Sequence, residues 1–297
     1  MTSRCESSLF TLAPAALALV GMTLVACGGD VAPQVCAATG ETKGAVVTHA
    51  TFARQLDDVT AEGLDIDGAQ SIEGDPAGCY KQDFTSPDGQ FGIDNQFATL
   101  LPLIEEFVGT ENIDALLDGA IANGQLLIIL AVDGVDDPYN DDCVDVRMGA
   151  GIGSPYLNTE NDYEPYQTFA FDPDSPVGTM IGRIENGVLT AGPGPIVLPV
   201  RILDADFNLE LDATHVRFDV AYDPLQGGIA LEGIASGGIS VEAFKTIVTD
   251  LNIGTDVIGA LLPILAGKAD LAEDSEGTCR RISAALKLTT TTAYVLD

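Results

Sequence analysis

The sequence predicts an α+β fold made mainly of antiparallel β-structure: a sandwich-like sheet core with a helical hairpin and one or two C-terminal helices packed on it. Three observations lead there. Segments that alternate apolar and polar residues, such as Phe207 to Leu211 and Val216 to Val220, read as half-buried strands, and such strands outnumber the helical stripes. Asn186-Gly187 between two β-rich runs is a strong hairpin signal. Two consecutive amphipathic stripes, 97–108 and 113–121, are followed by Gly109 and by Asn123-Gly124 and read as paired helices.

Taken in order, Gly44 to Phe52 is rich in β-branched residues and predicts a first strand. A turn-rich acidic connection from Asp57 to Gly78 follows, containing Asp65-Ile66-Asp67-Gly68. The first helix carries Phe97, Leu100, Leu101, Ile104, Phe107 and Val108 on one face. Pro102 either kinks it or sits in the first turn of a helix that starts near Leu101. The second carries Ile113, Leu116, Leu117, Ala120 and Ile121. Leu126 to Val132 is an unbroken apolar run of strand length, which predicts a central strand covered on both sides. Cys143 to Met148 is the next strand. The glycines at 149, 151 and 153 do not make a phosphate loop, because no helix opens after them and no Lys-Ser or Lys-Thr follows.

Thr179 to Ile184 and Val188 to Ala191 flank the Asn-Gly turn, and Pro193, Pro195 and Pro199 mark a link. Gly228 to Ile234 is a further strand. Ser240 caps a helix bearing Val241, Phe244, Ile247, Val248 and Leu251, and Asp256 to Ala266 forms another, interrupted at Pro263. A Thr-rich strand from Ile282 to Val295 ends the chain. No composition break divides this region, so residues 44–297 are expected to be a single β-rich domain.

The N-terminus carries an address. Arg4 and an apolar run from Leu9 to Val20 lead to small residues and then to Leu24-Val25-Ala26-Cys27. This tetrapeptide resembles the lipobox of bacterial lipoproteins. The resemblance implies that 1–26 is a signal peptide, that Cys27 is acylated, palmitate included, and that 27–43 is a flexible tether. An uncleaved transmembrane anchor competes with this reading, but Pro14 and Gly21 interrupt the run. Gly28 gives no inner-membrane retention signal, so by the sorting habits of better-known lipoproteins the outer membrane is the expected site. The lipobox, the acidic Gly92-Ile93-Asp94-Asn95-Gln96 stretch, the helical hairpin and a final strand opening at Gly277-Thr278-Cys279 together resemble uncharacterised acidic bacterial lipoproteins. That family brings no known activity.

Asp and Glu number 45 against 13 Lys and Arg, a formal charge of -32. Such a surface repels phosphate backbones, which argues against a nucleic-acid partner. The membrane is met through the lipid. Beyond Cys5 and Cys27, the cysteines Cys36, Cys79, Cys143 and Cys279 lack metal-site spacing and read as two disulfides of an exported protein. The pairing expected is Cys79 with Cys143 and Cys36 with Cys279, tying the N-terminal arm to the last strand.

Two acidic stretches are candidate calcium sites. Asp83, Asp88 and Asp94 are spaced around glycines, and Asp133, Asp136, Asp137, Asp141 and Asp142 crowd one loop. A Pro-Asp-Gly turn with a helix cap, and a simply solvated loop, are the competing explanations. Calcium is therefore the one cofactor the sequence suggests. No catalytic residue is assigned. His49 and His215 are the only histidines, neither lies beside a nucleophile motif, and Gly-x-Ser-x-Gly is absent. The function expected is a noncatalytic binding or structural module in the cell envelope. The alternatives are a two-carboxylate glycoside hydrolase and a lipid carrier whose apolar elements line a tunnel.

Overall fold

The structure, a computed structural model, describes Cys36 and residues 39–296 apart from 109–112, 160–161, 203–204 and 251–254. The signal segment, the lipobox and Cys27 lie outside the described residues. Two compact units divide the chain, Met1–Gln34 and Val35–Asp297, and every described residue belongs to the second.

That unit opens with strand β1 (Glu41–Phe52), which takes in three residues assigned above to the tether. Helices α1 (Leu101–Val108) and α2 (Asp114–Ala122) follow an irregular acidic lobe. Then come β2 (Ile128–Val135), β3 (Asp141–Ile152), β4 (Gln167–Phe171), β5 (Gly178–Glu185), β6 (Val188–Ile202), β7 (Ala205–Asp223) and β8 (Gly228–Ser240). Helices α3 (Val241–Asp250) and α4 (Thr255–Ala266), β9 (Leu271–Glu273) and β10 (Cys279–Leu296) complete it. Pro102 sits in the first turn of α1, which removes the kink from the two options.

The expected sandwich is corrected to a closed eight-stranded antiparallel barrel. Its ring runs β1, β2, β3, β5, β6, β7, β8, β10, and β10 returns to β1, Gly44 opposite Ala293 and Phe52 opposite Leu286. Strands β4 and β9 pair outside this ring. The difference arises at two segments. Pro193, Pro195 and Pro199, expected in a link, lie within β6: register shifts at Ala191/Gly194 and Gly194/Ile196 take up Pro193 and Pro195, while Pro199 stays in register opposite Asn208. The two short strands expected at 207–211 and 216–220 are one strand of 19 residues with an irregularity between Asp212 and His215. Long bulged strands coil enough to close a sheet on itself, and closure leaves no edges to protect.

One stripe of each strand faces the lumen. Val47, Leu130, Met148, Met180, Leu189 and Phe218 are 0–2% exposed there. Eight strands leave an interior just wide enough for side chains to fill. Glycine makes the room locally: a Cβ on Gly233, opposite Phe218, would lie 2.0 Å from the Arg217 carbonyl oxygen. The outward stripe is charged, with Arg183, Glu185, Arg217, Asp219, Glu232 and Lys287 exposed. The wall of β1 and β2 is apolar on both faces: Val46, Ile129 and Ala131 are 0% exposed. This matches the covered strand predicted from the unbroken apolar run.

Helix α2 packs on β1. Past Val46 that strand no longer pairs with β2, and Asp118 and Asp114 accept hydrogen bonds from its Ala50 and Phe52 amides at 3.1 and 2.8 Å. Arg54 then clamps Glu105 of α1 and Asp114 of α2, at 2.8 Å each. At this end of the barrel Phe52, Phe97 and Phe244 stack in sequence, with centroids 5.3 and 5.6 Å apart.

The disulfides are Cys36–Cys143 and Cys79–Cys279, with Cα separations of 5.6 and 6.1 Å. The predicted pairing is thus corrected. The N-terminal arm runs beside the β2–β3 turn, where Thr39 donates to Asp136, and reaches Cys143 instead of the final strand. Cys79 lies in the acidic lobe, which folds back to the start of β10.

Candidate functional site

The lobe between β1 and α1 is held by isolated bridges, Leu64 with Asp94 and Phe84 with Ile93, around a small core of Ala61, Phe84 and Ile93. Its Asp65-Ile66-Asp67-Gly68 stretch closes as a turn. Gly68 donates its amide to Asp65 at 2.7 Å, and Ala69 donates to Asp67 at 2.8 Å. Gly92 brings the second loop close, since a Cβ there would meet the Ala69 carbonyl at 2.5 Å. This approach buries Asp94, which is 3% exposed and accepts the Ile66 amide at 2.6 Å.

One carboxylate oxygen from each of Asp65, Asp67 and Asp94 then falls within 4.8 Å of the other two. Among the described residues this is the one such convergence of ligand-type groups. Burial, and then the charge of Asp67, pushes the Asp94 carboxyl up to about 8. Asp83 is raised as well, chiefly by burial and then by Asp67, Asp65 and Asp75, although the Ser71 amide donates to it at 2.5 Å. Burial of Asp94 and Asp83 opposes their ionisation beside the exposed Asp65 and Asp67. Either a proton stays on Asp94 near neutrality or a hard divalent cation sits among the oxygens.

Beside this cluster runs a second buried polar chain. Asp270, 5% exposed, accepts the Ser283 amide at 2.8 Å and lies 2.5 Å from Ser283 Oγ. That hydroxyl accepts the Gln96 amide at 2.8 Å. Burial pushes Asp270 up to about 7. The chain ties the lobe to β10 where Cys79–Cys279 also staples it.

The other sequence candidates are placed elsewhere. Asp88 closes its own turn with Ser86 and Gln90 and lies 3.9 Å from Arg217. Asp133 receives two bonds from Arg147 at 2.6 and 3.1 Å and one from Thr42 at 2.7 Å. Asp137 accepts the Tyr139 amide, and Asp141 accepts the amides of Asp136 and Cys143. Asp136 takes the Thr39 hydroxyl, and Asp142 lines an open groove. The Asp133 to Asp142 loop therefore spends its carboxylates on separate partners and brings no three together. His49 lies 3.7 Å from Asp118 and 3.5 Å from Asp162, all well exposed, and His215 Nδ1 is 3.1 Å from the Ala213 carbonyl.

Sequence reasoning missed Asp65 and Asp67 as partners of Asp94, and missed Asp270 altogether. The Asp-x-Asp-Gly spacing was the available signal, because such a turn sets two carboxylates side by side. Two grooves of about 280 and 500 Å³ also separate the lobe from the outer wall of the barrel, and Leu64, Gln90 and Arg217 line both. No protein-family model matches this chain, and neither does any curated protein or solved structure.

Proposed function

We propose that this chain is a bacterial lipoprotein, acylated on Cys27, whose barrel serves the outer membrane as a noncatalytic binding or structural module. The observation that carries this reading is Leu24-Val25-Ala26-Cys27 at the end of an apolar run. The barrel supports it. Its outward stripe is charged and its lumen apolar, the reverse of a barrel that lies in lipid, so a membrane address calls for an anchor. Two disulfides suit an exported chain.

Large side chains occupy the lumen positions that a carried lipid would need, which counts against the carrier. The two most perturbed carboxyls, Asp94 and Asp270, are sealed from any substrate, which counts against the glycosidase. Metabolic palmitate labelling is expected to mark the wild type and leave Cys27→Ala unmarked. Equal labelling of the two ends the lipoprotein reading.

The calcium reading belongs to Asp65, Asp67 and Asp94. A ligand that binds only the folded chain adds about 2.7 kcal/mol of stability at a hundredfold excess over its dissociation constant. Calcium is therefore expected to raise the unfolding midpoint above a sodium control of matched ionic strength. The increment should be larger above pH 8, where Asp94 is free of its proton, than below it. It should survive changing Asp136, Asp137, Asp141 and Asp142 to Asn and vanish in Asp67→Asn. An increment lost in the first variant and kept in the second returns the site to the loop.

A further inference from the structure

We infer that the barrel end formed by the β2–β3, β5–β6 and β7–β8 turns rests on the membrane, with Leu225 entering the zwitterionic headgroup layer. This rests on the lipid anchor proposed above. It adds a docking surface and an orientation that the anchor alone does not specify.

The three turns form one surface. Gly187 donates its amide to the Tyr139 carbonyl at 2.8 Å, and the Val220 amide donates to the Gly187 carbonyl at 2.7 Å. Tyr139 packs edge-on against Tyr222 with centroids 6.3 Å apart. Lys43 Nζ lies 5.8 Å from the centre of that ring and donates to the Gly227 carbonyl at 2.8 Å. From this base the β7–β8 turn projects Leu225, 93% exposed, the most exposed large apolar side chain among the described residues. Tyr139, 51% exposed and packed on Tyr222, adds an apolar ring and a polar tip at the same end, the chemistry favoured at a membrane–water boundary.

The point at which the N-terminal arm is fastened lies at the same end. Cys36 is bonded to Cys143 near the start of β3, and Thr39 and Thr42 fasten the following residues to Asp136 and Asp133. From that fixed point Cys27 is nine residues away. Nine residues reach at most about 30 Å. The anchor therefore holds this end of the barrel close to the bilayer and raises the effective concentration of lipid around Leu225. Asp136, Asp137, Glu185 and Asp223 ring the same surface, so the headgroups it fits are zwitterionic, and anionic ones repel it.

The absence of Trp from the chain makes the test direct. The full-length acylated protein carrying Leu225→Trp is reconstituted into phosphatidylcholine vesicles with brominated acyl chains. A second preparation carries Ile264→Trp on α4, at the opposite end of the barrel. Both should float with the vesicles, and bromine should quench Leu225→Trp while sparing Ile264→Trp. Replacing part of the lipid with phosphatidylglycerol should weaken the quench. Flotation without quenching at Leu225→Trp, or equal quenching at both sites, overturns the docking surface and leaves the anchor standing. A quench that deepens with phosphatidylglycerol overturns the choice of headgroup. Failure to float removes the anchor itself and the orientation with it.

Discussion

Phe218→Ala is expected to destabilise the protein by about 3–5 kcal/mol, the range for removal of a buried aromatic side chain. Phe218 is 0% exposed and sits in the lumen between Leu189 on β6 and Gly233 on β8. The cost of such a change depends on how far the surroundings collapse into the space left behind. A barrel closed by hydrogen bonds all the way round collapses poorly, because moving one strand inward breaks its pairing with the next. Arg217, one residue earlier, faces outward, and Arg217→Ala should change stability by no more than about 0.5 kcal/mol. Urea unfolding at one pH checks both. Equal losses for the two variants would falsify the inward and outward assignment of β7.

Local periodicity made most elements legible. The two helical stripes, the covered strand after Gly124 and the Asn186-Gly187 hairpin are each set by neighbours within a few residues, and each is present. Closure was not legible, because it depends on β1 meeting β10 across almost the whole chain, and alternation is the same in a barrel and in a sandwich. Proline rules misled at β6, where bulges accommodate Pro193 and Pro195, and Pro199 sits in register opposite Asn208. The candidate site shows a similar division. Asp94 stood out in sequence, but its partners Asp65 and Asp67 arrive through a loop contact that depends on Gly92. The crowded Asp133 to Asp142 stretch was conspicuous by count, yet most of its carboxylates are engaged by backbone amides, a Thr or Arg147. Density of charge along a chain says little about convergence in space.

Asp270→Asn is expected to flatten the pH dependence of stability and to make the protein more stable than wild type above neutrality. Burial raises the Asp270 carboxyl from 3.8 to about 7, so the folded chain keeps a proton that the unfolded chain gives up. The stabilisation from that proton is fully present below about pH 4 and is lost as pH rises to about 7. At about 1.4 kcal/mol per pKa unit, the loss amounts to at most roughly 4 kcal/mol. Asn keeps an acceptor for the Ser283 amide and offers an N–H toward Ser283 Oγ, as the protonated acid would, so the two proteins should be closely matched near pH 4. The neighbouring charges are Asp83 and Asp94, which oppose ionisation of Asp270, and Lys268, which favours it. All three remain in the variant, and because Asp94 and Lys268 each feel the Asp270 charge, the difference between the two curves reports position 270 together with its coupling to them, growing mainly between about pH 4 and 7. Denaturant midpoints taken across that range measure it. Parallel curves would mean that Asp270 is ionised in the folded protein and that the Ser283 and Gln96 bonds suffice to hold its charge.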